Sequence, residues 1–288
     1  MKIVLLGAAG QLGNDINRYY ATHAAGYDLI ALSRQDIDAT KLEALTTLLL
    51  QQTFDILINC IGYTQVDKAE SEQEAAFLIN AYAVEKMAIA CQEKQARFIH
   101  ISTDYIYGEA SPHLPLNEQN PPSPLNIYGA SKLLGEQLAL EACSNTVIFR
   151  SASLFGIAQS KVKANFIETI IKYAKEKGQL RVIENQIMSP TGSADLAKMI
   201  FQSIETEIPA GIYHAVNSGQ ASWYEFACAI IEQAQINCQI TPIPANEYPL
   251  PAKRPAYSAL DNTKLAKLIG PIPDWQEALA QYFKLKNL

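Results

Sequence analysis

The segment Ile3-Val-Leu-Leu-Gly7-Ala-Ala-Gly10-Gln11-Leu12-Gly13 constrains this chain more than any other. Four apolar residues run into glycines spaced G-x-x-G-x-x-G, and a helical pattern begins directly afterwards. The apolar run reads as a buried strand. Gly7 permits a tight turn, Gly10 lets backbone approach a pyrophosphate, and Gly13 lets the next helix pack closely on the strand. The N-terminus of that helix offers unpaired N–H groups and partial positive charge to phosphates. Gly7, Gly10, Gln11, Leu12 and Gly13 are therefore the candidate phosphate cradle. A glycine pattern alone is a weak signal, since ordinary βα turns carry it. Placed between a strand and a helix, it predicts a dinucleotide-binding unit.

The rest of the chain continues the theme. Short β-rich runs at Asp28–Leu32, Ile56–Cys60, Phe98–Ile101 and Val147–Phe149 alternate with helical patterns at Gln11–Ala21, Lys41–Leu50, Ser71–Glu93 and Pro124–Ala142. That alternation predicts right-handed βαβ units, and so an α/β fold with a Rossmann-type, doubly wound parallel sheet. Further strands are expected at Leu180–Ile183 and Ile212–Val216. After about residue 150 the punctuation changes. Prolines cluster from Pro242 to Pro255 and at Pro271 and Pro273, between a few helical stretches. We expect a dinucleotide-binding domain over 1–150 and a mainly substrate-binding lobe over 151–288, with one strand free to return to the first sheet.

Composition narrows the function classes. The 288 residues carry 23 Lys and Arg against 29 Asp and Glu, a net charge of −6. An acidic chain is a poor nucleic-acid partner, because phosphate neutralisation needs a basic surface. No apolar run approaches the roughly 18 residues that span a bilayer. The four apolar residues before Gly7 fall short of the roughly 7–15 in a signal peptide, so the expectation is a cytoplasmic protein with no membrane partner. The five cysteines are an odd number, spaced without a C-x-x-C, and fit buried thiols in a reducing compartment. The four histidines are scattered, which argues against a metal site.

Three further clusters carry chemistry. The second strand ends in Ser33-Arg34, where an NAD-selective site would place a carboxylate. A hydroxyl and a guanidinium suit a 2′-phosphate, so NADPH is the expected cofactor and NADH the lesser alternative. Asp38, shortly after, is placed to flank the adenine. Tyr128-Gly-Ala-Ser-Lys132 puts a phenol and an ammonium on one helix face, one turn apart. We expect Ser123 to cap this helix, Pro124 to open it, and Lys132 to lower the Tyr128 pKa for acid–base work. Ser102 and Thr103 end the fourth strand at the edge where such sheets bind ligands; alternation lets only one of them face inward. His100 reads as strand packing.

At these residues the chain resembles the extended short-chain dehydrogenase/reductases and, within them, the dTDP-4-dehydrorhamnose reductases. The likeness runs through Asn59-Cys-Ile-Gly-Tyr-Thr-Gln-Val-Asp67-Lys-Ala-Glu70, Ser102-Thr-Asp-Tyr-Ile, Ser123-Pro-Leu-Asn-Ile-Tyr128-Gly, Ser189-Pro-Thr-Gly192 and Arg254-Pro. The resemblance implies that Thr103, Tyr128 and Lys132 are the catalytic set, with Tyr128 and Lys132 also meeting the cofactor. It implies that Asn59, Cys60, Ile61, Tyr63 and Thr64 pass along the dinucleotide, that Asp104 and Tyr105 lie beside the sugar, and that Asn80 supports an active-site water network. Asn165 and Arg254 are candidates for the far end of a sugar-nucleotide substrate. The implied reaction is hydride transfer from NADPH to C4 of a dTDP-linked 4-keto sugar. One departure stands out: Leu154 occupies a position that is commonly aromatic in the family, so stacking on the sugar is either lost or moved to Phe155. Three alternatives stay open: reduction of a different keto-sugar nucleotide, epimerase or dehydratase chemistry, and a non-catalytic role like that of the regulatory subunit of methionine adenosyltransferase. Homodimers are common in the superfamily, and only the resemblance speaks to oligomeric state.

Overall fold

The computed structural model describes residues 1–23, 26–108, 114–157 and 165–286. His113, one of the scattered histidines, lies outside them. The strands, in chain order, are β1 (Lys2–Leu6), β2 (Asp28–Leu32), β3 (Ile56–Asn59), β4 (Arg97–Thr103), β5 (Thr146–Ser151), β6 (Leu154–Phe155), β7 (Gln179–Ile183), β8 (Ile187–Met188), β9 (Thr191–Gly192), β10 (Gly211–His214), β11 (Ala221–Ser222) and β12 (Gln239–Ile243). The helices are α1 (Gln11–His23), α2 (Leu42–Gln51), α3 (Val66–Ala69), α4 (Gln73–Phe77), α5 (Ala83–Glu93), α6 (Ile127–Ala142), α7 (Phe166–Lys177), α8 (Ser193–Glu205), α9 (Trp223–Gln233), α10 (Thr263–Ile269) and α11 (Trp275–Lys286).

Six parallel strands form the central sheet in the order β10-β5-β4-β3-β1-β2. Period-two alternation explains why each strand reads as continuously apolar: both faces are covered. Ile3 and Leu5 join Ile99, Phe149 and the buried face of α8 on one side. Val4 and Leu6 join Leu57, Phe98, Ile148 and the buried residues of α2 and α5 on the other. A separate core, with Phe155, Ile167, Phe226, Trp275 and Tyr282, holds the second lobe together. That lobe also carries small paired sheets, β7 with β12, β8 with β11 and β6 with β9.

The expected strands are present, and the strand expected near 212 does return to the first sheet as β10. With it comes α8, which packs against α1, so the second half of the chain completes the layers of the first. The strand expected near 180 instead pairs with β12 in the second lobe. The long helical pattern at 71–93 is interrupted by a π-turn at Leu78–Tyr82. No helix among the described residues is long and apolar enough to cross a membrane.

The strand order reverses between β1 and β3, because β2 lies on the far side of β1. In open α/β sheets the crevice at such a switch point, beyond the carboxyl ends of the strands, is where ligands sit. Gly7, Ser33, Asn59 and Thr103 all stand at those ends.

Candidate active site

The glycine loop has the geometry its spacing predicts. Gly7 sits at φ +84° and donates its N–H to the Leu32 carbonyl at 2.9 Å. Gly10 closes the turn by donating to the Gly7 carbonyl at 3.0 Å, and α1 begins at Gln11. At Gly13 an added Cβ would lie 2.3 Å from the Gly7 oxygen and 2.7 Å from the Ala8 Cα. Only a hydrogen there lets the first turn of the helix, with its free N–H groups, sit directly over the strand end. These features fit a pyrophosphate.

Ser33 and Arg34 divide. The Ser33 hydroxyl and N–H both donate to one oxygen of Asp36, at 2.7 and 2.8 Å. Those bonds hold the Asp36 carboxyl below the usual aspartate range. The serine therefore shapes the turn. Arg34 is exposed and makes no hydrogen bond or ion pair among the described residues, although its charge helps hold Asp38 low, behind the two bonds from Thr40. Asp38 caps its own turn through the Thr40 N–H and hydroxyl.

The strip after β3 is pinned from inside. Asn59 is wholly buried; its Oδ1 accepts the Ile61 N–H at 2.9 Å and its Nδ2 lies 3.0 Å from His100 Nδ1. The Cys60 N–H continues the sheet to Leu6, and burial pushes the Cys60 thiol up to about 12. Asn80, on the π-turn, accepts from the Tyr63 N–H and donates to the Tyr63 carbonyl and to Ser131. Tyr63 also donates its hydroxyl to Glu72, and Thr64 next to it is exposed. Ile61 is partly buried along the same strip.

Helix α6 carries the phenol and the amine. Its cap is Asn126 and not Ser123: the Asn126 Oδ1 accepts the Gly129 N–H at 2.7 Å, and the helix starts at Ile127. Ser123 accepts from the Gly108 N–H instead, and Pro124 lies before the helix. Thr103, at the end of β4, acts on the buried Tyr128 hydroxyl and pulls its pKa down. Thr103 in turn donates to Asp104 Oδ1 at 3.1 Å and accepts the Tyr105 N–H at 3.2 Å. Thr103 is thus the inward-facing member of its pair; Ser102 Oγ is buried without a hydrogen-bond partner among the described residues. Ser258 donates to the other Asp104 oxygen at 2.6 Å. Burial raises the Asp104 carboxyl to about 6.

The expectation that Lys132 lowers the Tyr128 pKa is corrected by the structure. Burial pushes Tyr128 up to about 12, with Thr103 pulling it down and Asp104 adding to the rise. Lys132 instead donates to the Ile101 carbonyl at 2.5 Å and lies 3.2 Å from His100 Nε2. His100 is therefore more than packing. Burial brings Lys132 down to about 8, against Glu136 and Cys60, which raise it.

The substrate-side candidates separate. Arg254 forms a two-pronged pair with Asp67, at 2.5 and 2.8 Å, donates to the Ala252 carbonyl at 2.6 Å, and its charge acts on Tyr105. Tyr105 packs edge-on against Tyr128, with ring centroids 5.9 Å apart. Arg254 therefore joins the site through Tyr105. Asn165 caps α7: its Oδ1 accepts the Glu168 N–H and its Nδ2 donates to the Gly156 carbonyl. Phe155 is 1% exposed, in the core of the second lobe against Phe226 and Tyr282. Phe155 is therefore not placed to take over stacking on a sugar, the second of the two outcomes expected there.

Three groups escaped the sequence reading as parts of the site. Asp67 holds Arg254, Glu70 accepts the Ile127 N–H at the start of α6, and Ser258 bonds Asp104. Each acts across 57 or more residues, and no local pattern announces such contacts.

Comparison with known proteins gives the chain its family. A family model described as RmlD substrate binding domain matches residues 1–287. The spore coat polysaccharide biosynthesis protein SpsK of Bacillus subtilis is 35% identical, the match covering 99% of this chain and 98% of that one. The dTDP-4-dehydrorhamnose reductase of Burkholderia thailandensis is 34% identical, covering 97% of each. A solved dTDP-4-dehydrorhamnose reductase from Bacillus anthracis, in complex with NADP, superposes with a TM-score of 0.91 at 34% identity, covering 99% of both chains. With its glycine cradle and its Thr103–Tyr128 pair at the carboxyl edge of the sheet, the chain belongs to the RmlD substrate binding domain family, among the dTDP-4-dehydrorhamnose reductases.

Proposed function

We propose that the chain reduces the 4-keto group of dTDP-4-dehydro-L-rhamnose to give dTDP-L-rhamnose, with NADPH as the reductant. The observation that carries this reading is the Tyr128 hydroxyl, which Thr103 acts on at the end of β4, on the same carboxyl edge of the sheet as the glycine cradle after β1. Gly7 to Gly13 would hold the pyrophosphate, and Arg34, which has no bonded partner among the described residues, would meet the 2′-phosphate. Lys132 and Tyr128 would border the nicotinamide half. When bound, NADPH supplies the hydride.

The chain's own part is to place the ketone and to move a proton. As hydride reaches C4, negative charge develops on the carbonyl oxygen. Tyr128 gives that oxygen its proton, and its raised pKa keeps the proton in place until then. Thr103 would sit within reach of the same oxygen, and a hydrogen bond that strengthens as charge develops is the kind that accelerates the chemical step. Arg254 acts on Tyr105, and the edge of its guanidinium that Asp67 and Ala252 do not use would suit the substrate diphosphate.

A second reading, reduction of a different keto-sugar nucleotide, is favoured by Leu154 and by the burial of Phe155, which leave neither residue to stack on a sugar as an aromatic would. One assay separates the two. NADPH absorbance is followed with dTDP-, UDP- and GDP-linked 4-keto sugars, and kcat/KM is compared for NADPH and NADH. We expect turnover with the dTDP-linked 6-deoxy sugar and preference for NADPH. Turnover confined to a UDP or GDP sugar would replace the first reading with the second.

A further inference from the structure

The reaction consumes a proton as well as a hydride, so Tyr128 must be reprotonated in every cycle. Lys132 lies one helical turn from Tyr128 and is buried. Its other neighbours follow a strict donor–acceptor logic. The Ile61 backbone N–H can only donate, so the Asn59 side-chain atom it meets at 2.9 Å is the carbonyl oxygen. The remaining Asn59 atom is then the NH2 group, 3.0 Å from His100 Nδ1. His100 is wholly buried, and burial together with the facing Lys132 holds it well below the usual histidine range, so the ring is neutral. A neutral imidazole has one N–H. Since Nδ1 accepts from Asn59, the proton is on Nε2, and Nε2 faces the Lys132 nitrogen at 3.2 Å.

An ammonium has no lone pair and cannot accept from that N–H; a neutral amine can. We propose that Asn59 and His100 are a positioning pair for Lys132, fixing an imidazole N–H toward the lysine nitrogen so that the amine form is stabilised when the lysine gives up its proton. The inference rests on the reductase reading. In the step it serves, a Lys132 N–H bond breaks and the Tyr128 O–H bond re-forms, by way of a hydroxyl group or water between them. The amine left behind accepts from His100 and donates to the Ile101 carbonyl, and it regains its proton from solvent. The titratable groups facing Lys132 are Cys60 from the end of β3, His100 from β4, and Glu136 from its own helix. The Cys60 thiol stays protonated, and Glu136 is engaged by Arg150, so neither reverses the effect of the pair.

Asn59→Asp inverts the arrangement with little change of shape. One carboxylate oxygen still accepts from Ile61, the other accepts from a His100 Nδ1–H, and Nε2 becomes an acceptor for the ammonium. His100→Gln offers Lys132 an amide oxygen instead of an N–H. The test is nuclear magnetic resonance on the intact chain. Labelled histidine reports the His100 tautomer, assigned by its loss in His100→Gln, and the labelled lysine Cε reports the Lys132 titration, assigned with Lys132→Arg. We expect the Nε2–H tautomer in the natural chain, its inversion in Asn59→Asp, and a Lys132 midpoint about one pH unit higher in both variants. The alkaline limb of kcat should move up with it. An Nδ1–H tautomer in the natural chain, or a Lys132 midpoint unchanged in both folded variants, would overturn the proposal. These readouts need no substrate, so absence of keto-sugar turnover would count against the reductase reading and leave the result for the pair standing on its own.

Discussion

A phenol that must give up a proton at neutral pH needs to hold it first, and Tyr128 does so because burial outweighs the Thr103 hydroxyl. Tyr128→Phe removes the proton donor with almost no change of shape. Loss of one positioned acid should lower kcat by about 10²–10⁴-fold, and steady-state NADPH oxidation measures it. Beside it, Asp104 makes a prediction about stability. Its carboxyl is buried with hydroxyl and backbone donors, and its pKa rises from 3.8 to about 6. Between those values the folded chain binds more protons here than the unfolded one, so this group's contribution falls as pH rises and is lost above about 6. The Asp104→Asn variant lacks that dependence. Relative to the natural chain it should gain up to about 3 kcal/mol on going from pH 4 to pH 7.5. Urea unfolding at both pH values checks this, and equal midpoint differences at the two would refute it.

At the scale of elements, α6 is placed by close approach. A Cβ at Gly129 would lie 2.1 Å from the Tyr105 carbonyl oxygen, so the helix touches the turn after β4 as only glycine permits. Gly129→Ala must push the two apart and should cost about 1–3 kcal/mol in stability. The larger effect is on rate, because the helix carries Tyr128 and Lys132: a displacement near 1 Å costs on the order of 10²-fold in kcat. Melting temperature and kcat measured together distinguish this from simple unfolding. The glycine loop, the four βα units and the Tyr128–Lys132 spacing were legible because each is a local pattern with a fixed period. The start of α6 was misplaced although Asn126 is a good cap, because Ser123-Pro124 is an equally good local signal and the choice is made by contact. Glu70 accepts the Ile127 N–H and Asn126 donates to the Lys253 carbonyl, which together set where the helix begins. The partners of Lys132 were illegible for the same reason: His100 is 32 residues away and is aligned by the strand register, not by helical spacing.

Across the whole molecule, α6 is tied to the sheet by an ion pair that no local pattern reveals. Arg150 on β5 donates to both oxygens of Glu136, with Nη2 to Oε2 at 2.6 Å, and both side chains are under 5% exposed. The same guanidinium donates to the Tyr107 hydroxyl at 2.7 Å, which lies 2.8 Å from His214 on β10, the strand the second half returns to the sheet. One charge pair therefore links the catalytic helix to the turn after β4 and to the edge where both halves of the chain meet. Desolvating two charges offsets much of their attraction, so the pair as a whole adds little net stability. Breaking it is another matter, because Glu136→Leu leaves a buried guanidinium without its countercharge. That single replacement should cost about 3–5 kcal/mol, and Arg150→Met a similar amount. The double variant Glu136→Leu with Arg150→Met leaves neither charge buried and should recover most of the loss. A double-mutant cycle in urea decides the matter, with additive losses showing that the two residues act independently. Activity gives a second axis. If the pair also orients α6, the double variant should regain stability yet remain slower than the natural chain, since apolar contacts do not impose the direction that two parallel N–H···O bonds impose.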